Sequence, residues 1–417
     1  MRRTTAALLA IALFPLVSPC LYAQGTFPLT YRDCPGEATT ELMMSRGFFG
    51  PQQEKPGTVK DVPAGLSKNL TWFSVDLGKR SVLMLFDGAT NPKLYLDTDL
   101  DGSLADEKPF ELPKEQQVAG PVARLFRRRP PSQPVYGPIT LKSGAGDPEV
   151  KVRVRSYGGR YIMISPAGVW SGTVKVAGKE HRLSVVDANY DGRLDGVLSM
   201  PPEGQPITGE ADTLAFDFNG NGAFEPGYYE ANAEMIPLPR MLKVGEDYYS
   251  VTVAADGSSV TLAKVTPKFG TLDVGTKDAT LLVWSDNGSH MLTGTDGRWR
   301  VPAGTYMTRM VTLNRTDAAG DTWMLRCYGN VGKLARFEVR PDETVSVRVG
   351  TPLTATTAVQ SGGEDDPEVY ISLSLTGQSG ERYTPGAMKN NRMTPAPGLE
   401  ILDEAGKALG SGKFEYG

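Results

Sequence analysis

Three short stretches of the chain place oxygen-bearing side chains at alternate positions and follow them with glycine. Loop one is Asp97-Thr98-Asp99-Leu100-Asp101-Gly102-Ser103-Leu104, with Asp106 and Glu107 close behind. Loop two is Asp187-Ala188-Asn189-Tyr190-Asp191-Gly192-Arg193-Leu194-Asp195. Loop three is Asp217-Phe218-Asn219-Gly220-Asn221-Gly222-Ala223-Phe224-Glu225. This order suits a hard divalent cation. Calcium takes about six to eight oxygens, and side chains at positions one, three and five wrap one side of it. Glycine at six makes the sharp turn, and the backbone carbonyl of position seven completes the arc. Position seven is Ser103, Arg193 or Ala223, whose side chains do not matter to that bond. Position eight is Leu104, Leu194 or Phe224, an apolar anchor each time. Asp, Asn and Gly are also what any tight turn between strands uses. Threefold recurrence with a matching anchor favours the ion. Magnesium fits less well, because it demands a tight octahedron and keeps its waters.

These loops resemble EF-hand-type and dockerin-type calcium loops over about a dozen residues each. They depart from the EF-hand in two respects. Each follows a strand-like segment (KLYL, RLSVV, TLAF), and Lys108, Leu198 and Tyr228 stand where the bidentate Glu of position twelve belongs. Closure is therefore expected from Asp195 and Glu225 at position nine, and from Asp106 and Glu107 in loop one. A set this loose implies dissociation constants of about 10⁻⁴ to 10⁻³ M, which serves where calcium is millimolar. Loop one is the richest in carboxylates. Loop three is the poorest, since only Asp217 and Glu225 carry charge.

No catalytic constellation stands out. His181 and His290 are the only histidines. His290 sits in a polar stretch that reads as a turn, and His181 opens a strand and reads as exposed. Trp72, Trp170, Trp284, Trp299 and Trp323 lie in or beside strand-like segments, where core packing is the default and a sugar-stacking platform the alternative.

The elements that carry the loops are short apolar runs punctuated by 47 Gly and 31 Pro, which predict a mainly β fold of several antiparallel β-sandwich-like domains with few short helices. Val150 to Tyr157 and Glu368 to Leu375 alternate as half-buried strands do. Residues 1–23 read as a secretion signal, with Arg2 and Arg3 before an apolar core from Ala6 to Val17. Lipidation at Cys20 is the weaker alternative, because Pro19 stands where a small residue is expected. The rest divides into an N-terminal β region carrying loop one (24–110), a Pro/Arg-rich linker (111–134), a β domain carrying loops two and three (135–266), a sandwich (267–350) and a C-terminal β region (351–417).

Without Arg2 and Arg3 the formal net charge goes from −4 to −6, and with no dense basic face this argues against nucleic acid as a partner. After signal cleavage no stretch approaches the apolar length of a membrane span. Cys34 and Cys327 would survive cleavage, either as one disulfide or as two separate buried thiols.

The segment Asp296-Gly297-Arg298-Trp299-Arg300-Val301-Pro302-Ala303-Gly304-Thr305-Tyr306 resembles a stretch of carboxypeptidase-regulatory-like and transthyretin-like β-sandwich domains. That resemblance implies an accessory sandwich that spaces or adheres. The arrangement as a whole is similar to exported bacterial proteins of the planctomycete type. The expectation is an exported, non-enzymatic calcium-binding β-protein with a structural, adhesive or scaffolding role at the cell envelope, partnered by a cell-surface protein or polysaccharide. The alternative is a secreted protein that binds or processes carbohydrate.

Overall fold

The computed structural model describes residues 25–34, 42, 45, 47–88, 92–111, 135–142, 148–157, 160–202, 205, 211–225, 233–294, 296–328, 332–361, 368–384 and 386–415. Residues 1–23, expected from the sequence to be a secretion signal, and nearly all of the expected linker 111–134 fall outside them. The fold is almost all β, in several mostly antiparallel sheets, and among the described residues the one named helix is the single 3₁₀ turn Gly332–Leu334. Among the described residues no helix is long and apolar enough to cross a membrane.

The first sandwich packs the meander Leu70–Leu77, Arg80–Asp87, Lys93–Leu96, Phe110–Glu111 against a sheet of Val135–Leu141, Val150–Ser156, Ile162–Pro166 and Gly47–Phe49. Phe73, Met84 and Leu96 meet Tyr136, Val152 and Ile164 in one core. The second sandwich packs Gly168–Val176, Lys179–Val186, Thr213–Phe216 and Met235–Pro237, edged by Thr30–Asp33, against Met241–Val244, Asp247–Val253, Ser259–Val265 and Gly25–Pro28. Val185, Leu214 and Phe216 face Tyr249, Val251 and Leu262. The third encloses Leu281, Val283, Tyr306 and Val311 against Leu272, Trp299 and Val301.

This packing divides the chain differently from the sequence. Residues before and after 111–134 share the first core, and 135–266 is split between two sandwiches. The third core also takes Tyr383 from the C-terminal region. Local periodicity marks strands but not which sheet buries them.

The first two sandwiches also repeat one plan. Each opens with a two-residue hairpin, closed at Leu77↔Arg80 and at Val176↔Lys179. Four residues further on, Met84 pairs with Leu96 and Leu183 with Phe216. The next residue on the third strand is Asp97 in one unit and Asp217 in the other. Each donates its N–H to the equivalent carbonyl, Leu83 O or Arg182 O, at 3.0 Å. Loops one and three therefore occupy the same place in two copies. Loop two leaves the second strand of its unit, where the first unit has only the short connection 88–92.

Cys34 and Cys327 are separate buried thiols in different clusters, and burial pushes the Cys327 thiol up to about 11. In the third sandwich Gly297 has φ 68° and lies so close to Thr276 O that a Cβ would sit 2.1 Å from it, so the turn requires glycine.

Candidate metal centre

The three loops share one backbone. Position four is left-handed in each (Leu100 φ 63°, Tyr190 φ 59°, Gly220 φ 73°), and so is position six (Gly102 84°, Gly192 80°, Gly222 83°). Leucine and tyrosine hold that conformation at a cost of about 1–3 kcal/mol each, so the surroundings must impose it. The carboxylate of position one imposes it directly. Asp97, Asp187 and Asp217 each accept the N–H of position five on one oxygen (3.1, 3.2 and 3.0 Å) and that of position six on the other (3.0, 3.0 and 2.9 Å). Position five then accepts from position seven, Asp101 from Ser103, Asp191 from Arg193 and Asn221 from Ala223, at 2.7–2.8 Å.

The anchors at position eight dock into three different clusters. Leu104 fills a layer on the outer face of the first meander, Leu194 enters the second core, and Phe224 packs on Ala215 and Met235. Position four reaches elsewhere. Leu100 packs against the first core, and Tyr190 is buried inside it, although loop two leaves a strand of the second sandwich. Tyr190 Oη donates to Ser45 O (2.6 Å), and Arg80 of the first hairpin donates from its guanidinium to Tyr190 O (2.8 Å) and Pro148 O (2.9 Å). A Cβ on Gly78 would lie 2.9 Å from Asn189 O, and one on Gly192 would lie 2.8 Å from the Pro148 ring. Loop two is thus a latch. It holds Leu194 in one core and Tyr190 in the other.

In loop one, Asp97, Asp99 and Asp101 each bring an oxygen within 4.8 Å of the others, the one such group of three acids among the described residues. Asp97 is buried, while Asp99 and Asp101 are exposed. Burial raises the Asp97 carboxyl above its usual range, against the pull of the Gly102 and Leu100 N–H groups, and Asp101 adds to the rise. Asp187 is pushed up to about 7, again chiefly by burial. Each is a carboxylate drawn partly out of water beside another acid, Asp101 for Asp97 and Asp191 for Asp187, an arrangement a divalent cation relieves. The donor set fits calcium, being all oxygen and already curled; zinc would want nitrogen or sulfur, and no loop contains His or Cys.

The expected closing residues stand differently. Asp195 is drawn off by Arg193, which grips it with Nε and a terminal nitrogen at 3.0 and 2.7 Å. Glu225 accepts from Asn221 Nδ2 at 2.9 Å. Glu107 holds the Thr98 hydroxyl at 2.8 Å, and Asp106 is exposed. Two acids that the sequence reading passed over lie at the loops instead. Asp212 is fully buried and accepts Ala188 N (3.3 Å) and Gly196 N (2.8 Å). Burial first, then the nearby Asp187, pushes it up to about 9. Glu234 is buried and accepts Asn219 N (3.3 Å) and Glu225 N (2.9 Å). Both precede strands on the far side of the loops, and no spacing rule would have marked them.

No family model, curated protein or solved structure matches this chain. The functional reading therefore rests on the loops themselves.

Both histidines differ from expectation. His181 is buried, stacks on Phe216 at 5.2 Å between ring centroids, and bonds Asp217 O through Nδ1 at 2.7 Å. A carbonyl only accepts, so that nitrogen carries the proton and braces loop three. His290 lies on the strand Gly288–Leu292, not in a turn, and burial lowers its pKa to about 4, with Lys243 adding to the effect. Below the unfolded value of about 6.5 the unfolded chain takes up a proton that the folded chain refuses. Stability present above pH 6.5 is thus expected to fall as pH drops toward 4, by about 3 kcal/mol at most. Denaturant titrations of wild type and His290→Gln across that window should diverge on the acid side.

Trp299 is core, with Nε1 bonded to Thr293 O at 2.9 Å, whereas Trp323 is exposed, bonded to Asp317 and covered by Lys389 at 5.2 Å.

Proposed function

We propose that the chain is an exported, calcium-stapled β-protein that spaces or scaffolds at the bacterial cell envelope, with no catalytic role. Calcium would be held in loop one by Asp97, Asp99, Asp101 and the Ser103 carbonyl, with Glu107 or Asp106 to close the set. Loop two would use Asp187, Asn189, Asp191 and the Arg193 carbonyl, and loop three Asp217, Asn219, Asn221 and the Ala223 carbonyl, with Asp212 and Glu234 as the closing acids. The bound ion would supply charge neutralisation and cross-linking, fixing strand ends that otherwise carry crowded carboxylates.

The observation that carries this reading is the shared backbone of the three loops, left-handed at positions four and six around a position-one carboxylate. Ordinary hairpin turns have no need of that arrangement three times over. Loop two gives it a purpose, because an ion there would stiffen the joint between two sandwiches. A stiffened joint of this kind would hold a partner, a surface protein or a polysaccharide, at a fixed distance.

Calcium calorimetry on the mature chain tests it. Asp97→Ala, Asp187→Ala and Asp217→Ala should each remove one site, with the largest heat lost from Asp97→Ala. Heats unchanged in all three variants would refute the assignment.

A further inference from the structure

A cleft of about 900 Å³ opens between the second and third sandwiches. Its walls are fixed to each other by Met241 N on Asn287 O and by Met200 N on Asp286 Oδ1, both at 2.8 Å. One wall is the end of the second sandwich, with Met235 and Met241. The other is made by Gly288–Leu292 and Arg298–Pro302, each an outermost strand of its sheet, with Leu282 and Met291 in the lining. The volume suits a small organic ligand, and methionine walls adapt to apolar shapes.

The charge of the cleft is lopsided. Lys243, Arg298, Arg300 and Arg309 line it. Its acids, Asp212 and Glu234, are committed to N–H groups of loops two and three. Arg298 has Asp273 at 3.8 Å, but among the described residues no carboxylate lies within ion-pair distance of Lys243, Arg300 or Arg309. Those three rest on ring faces instead, Arg300 over Phe269 at 3.7 Å, Arg309 over Trp284 at 4.6 Å and Lys243 over Tyr248 at 6.0 Å. Two further polar atoms of the lining residues, His290 Nε2 and Arg309 Nε, are shut off from water with no hydrogen-bond partner. Closed-off polar atoms without partners cost free energy that a ligand or a small local shift would recover.

We propose that this cleft binds a small amphiphilic carboxylate, its apolar body along Met235, Met241, Leu282 and Met291 and its anionic head on the wall of Lys243, Arg300 and Arg309. Ala188 and Asn219 of loops two and three also border the cleft, but the proposal places no ligand contact on them and does not require calcium to be bound. An uncharged lipid-like molecule would leave the cations without a counter-charge, and a small hydrophilic anion would leave the apolar length unfilled.

Calorimetry and the fluorescence of Trp284 and Trp299 would follow binding of decanoate, decanol and acetate to the full mature chain. Decanoate should bind saturably, one per chain, at least tenfold more tightly than decanol or acetate. The triple variant Lys243→Gln/Arg300→Gln/Arg309→Gln should lose at least tenfold. Ser289→Trp, which keeps every cation and fills the space, should do the same, with far-UV circular dichroism showing that both variants fold. Equal binding of decanol and decanoate, no saturable decanoate binding, or full binding in both variants would overturn the proposal.

Discussion

Stripping calcium with EDTA is expected to lower the melting midpoint of the mature chain by about 4–20 °C. At about 2 mM calcium and dissociation constants of about 10⁻⁴ to 10⁻³ M, each occupied loop adds about 0.6–1.8 kcal/mol to the folded state. Three loops together add about 2–5 kcal/mol, and in domains of this size each kcal/mol moves the midpoint by about 2–4 °C. The crowded acids give the effect its direction: without an ion, Asp187 lies in the field of Asp191, and buried Asp212 lies in the fields of Asp187 and Asp191. Calorimetric scans in calcium and in EDTA read the shift, and superimposed scans would mean that the loops are only turns.

Tyr190→Ala is expected to cost about 3–5 kcal/mol, the usual range for emptying a large aromatic site in a core. The loss should exceed that of an ordinary cavity in one respect, because the side chain belongs to a loop of the second sandwich and fills the first. Its hydroxyl also ties Ser45 O and Ile164 O, at 2.6 and 3.1 Å. The variant should therefore melt in two separated steps, whereas the wild type is expected to unfold its first two sandwiches together. Tyr190→Phe keeps the ring and should lose only about 1–2 kcal/mol for the missing hydroxyl. A single unshifted transition in Tyr190→Ala would remove the latch from the account.

Much of this was legible in the residues. Alternation in Val150 to Tyr157 and the glycine turns fixed strand after strand, and the loops announced themselves through side-chain type and spacing. What stayed hidden depends on contacts distant in sequence. Nothing local in Lys93–Leu96 says that it shares a core with Ile162–Pro166 across a linker. The repeat was masked because the connection after the second strand is short in one unit, 88–92, and long in the other, 187–212, so the equivalent aspartates do not fall at a constant period. Asp212 and Glu234 look like any acid beside a strand until the sheet brings them back to the loops. His181 reads as exposed beside Glu180, and only the position of the Asp217 carbonyl accounts for its burial. Tyr190 sits at a position where the loop pattern tolerates anything, so its role as an anchor shows only once a second sandwich is in view.

The most direct measurement is anomalous diffraction from crystals of the mature chain grown in about 10 mM calcium, a concentration well above the expected dissociation constants. The expected result is a calcium peak ringed by Asp97, Asp99 and Asp101, with weaker peaks in the other two loops. Water alone among those three carboxylates, in a loop of unchanged backbone, would contradict it.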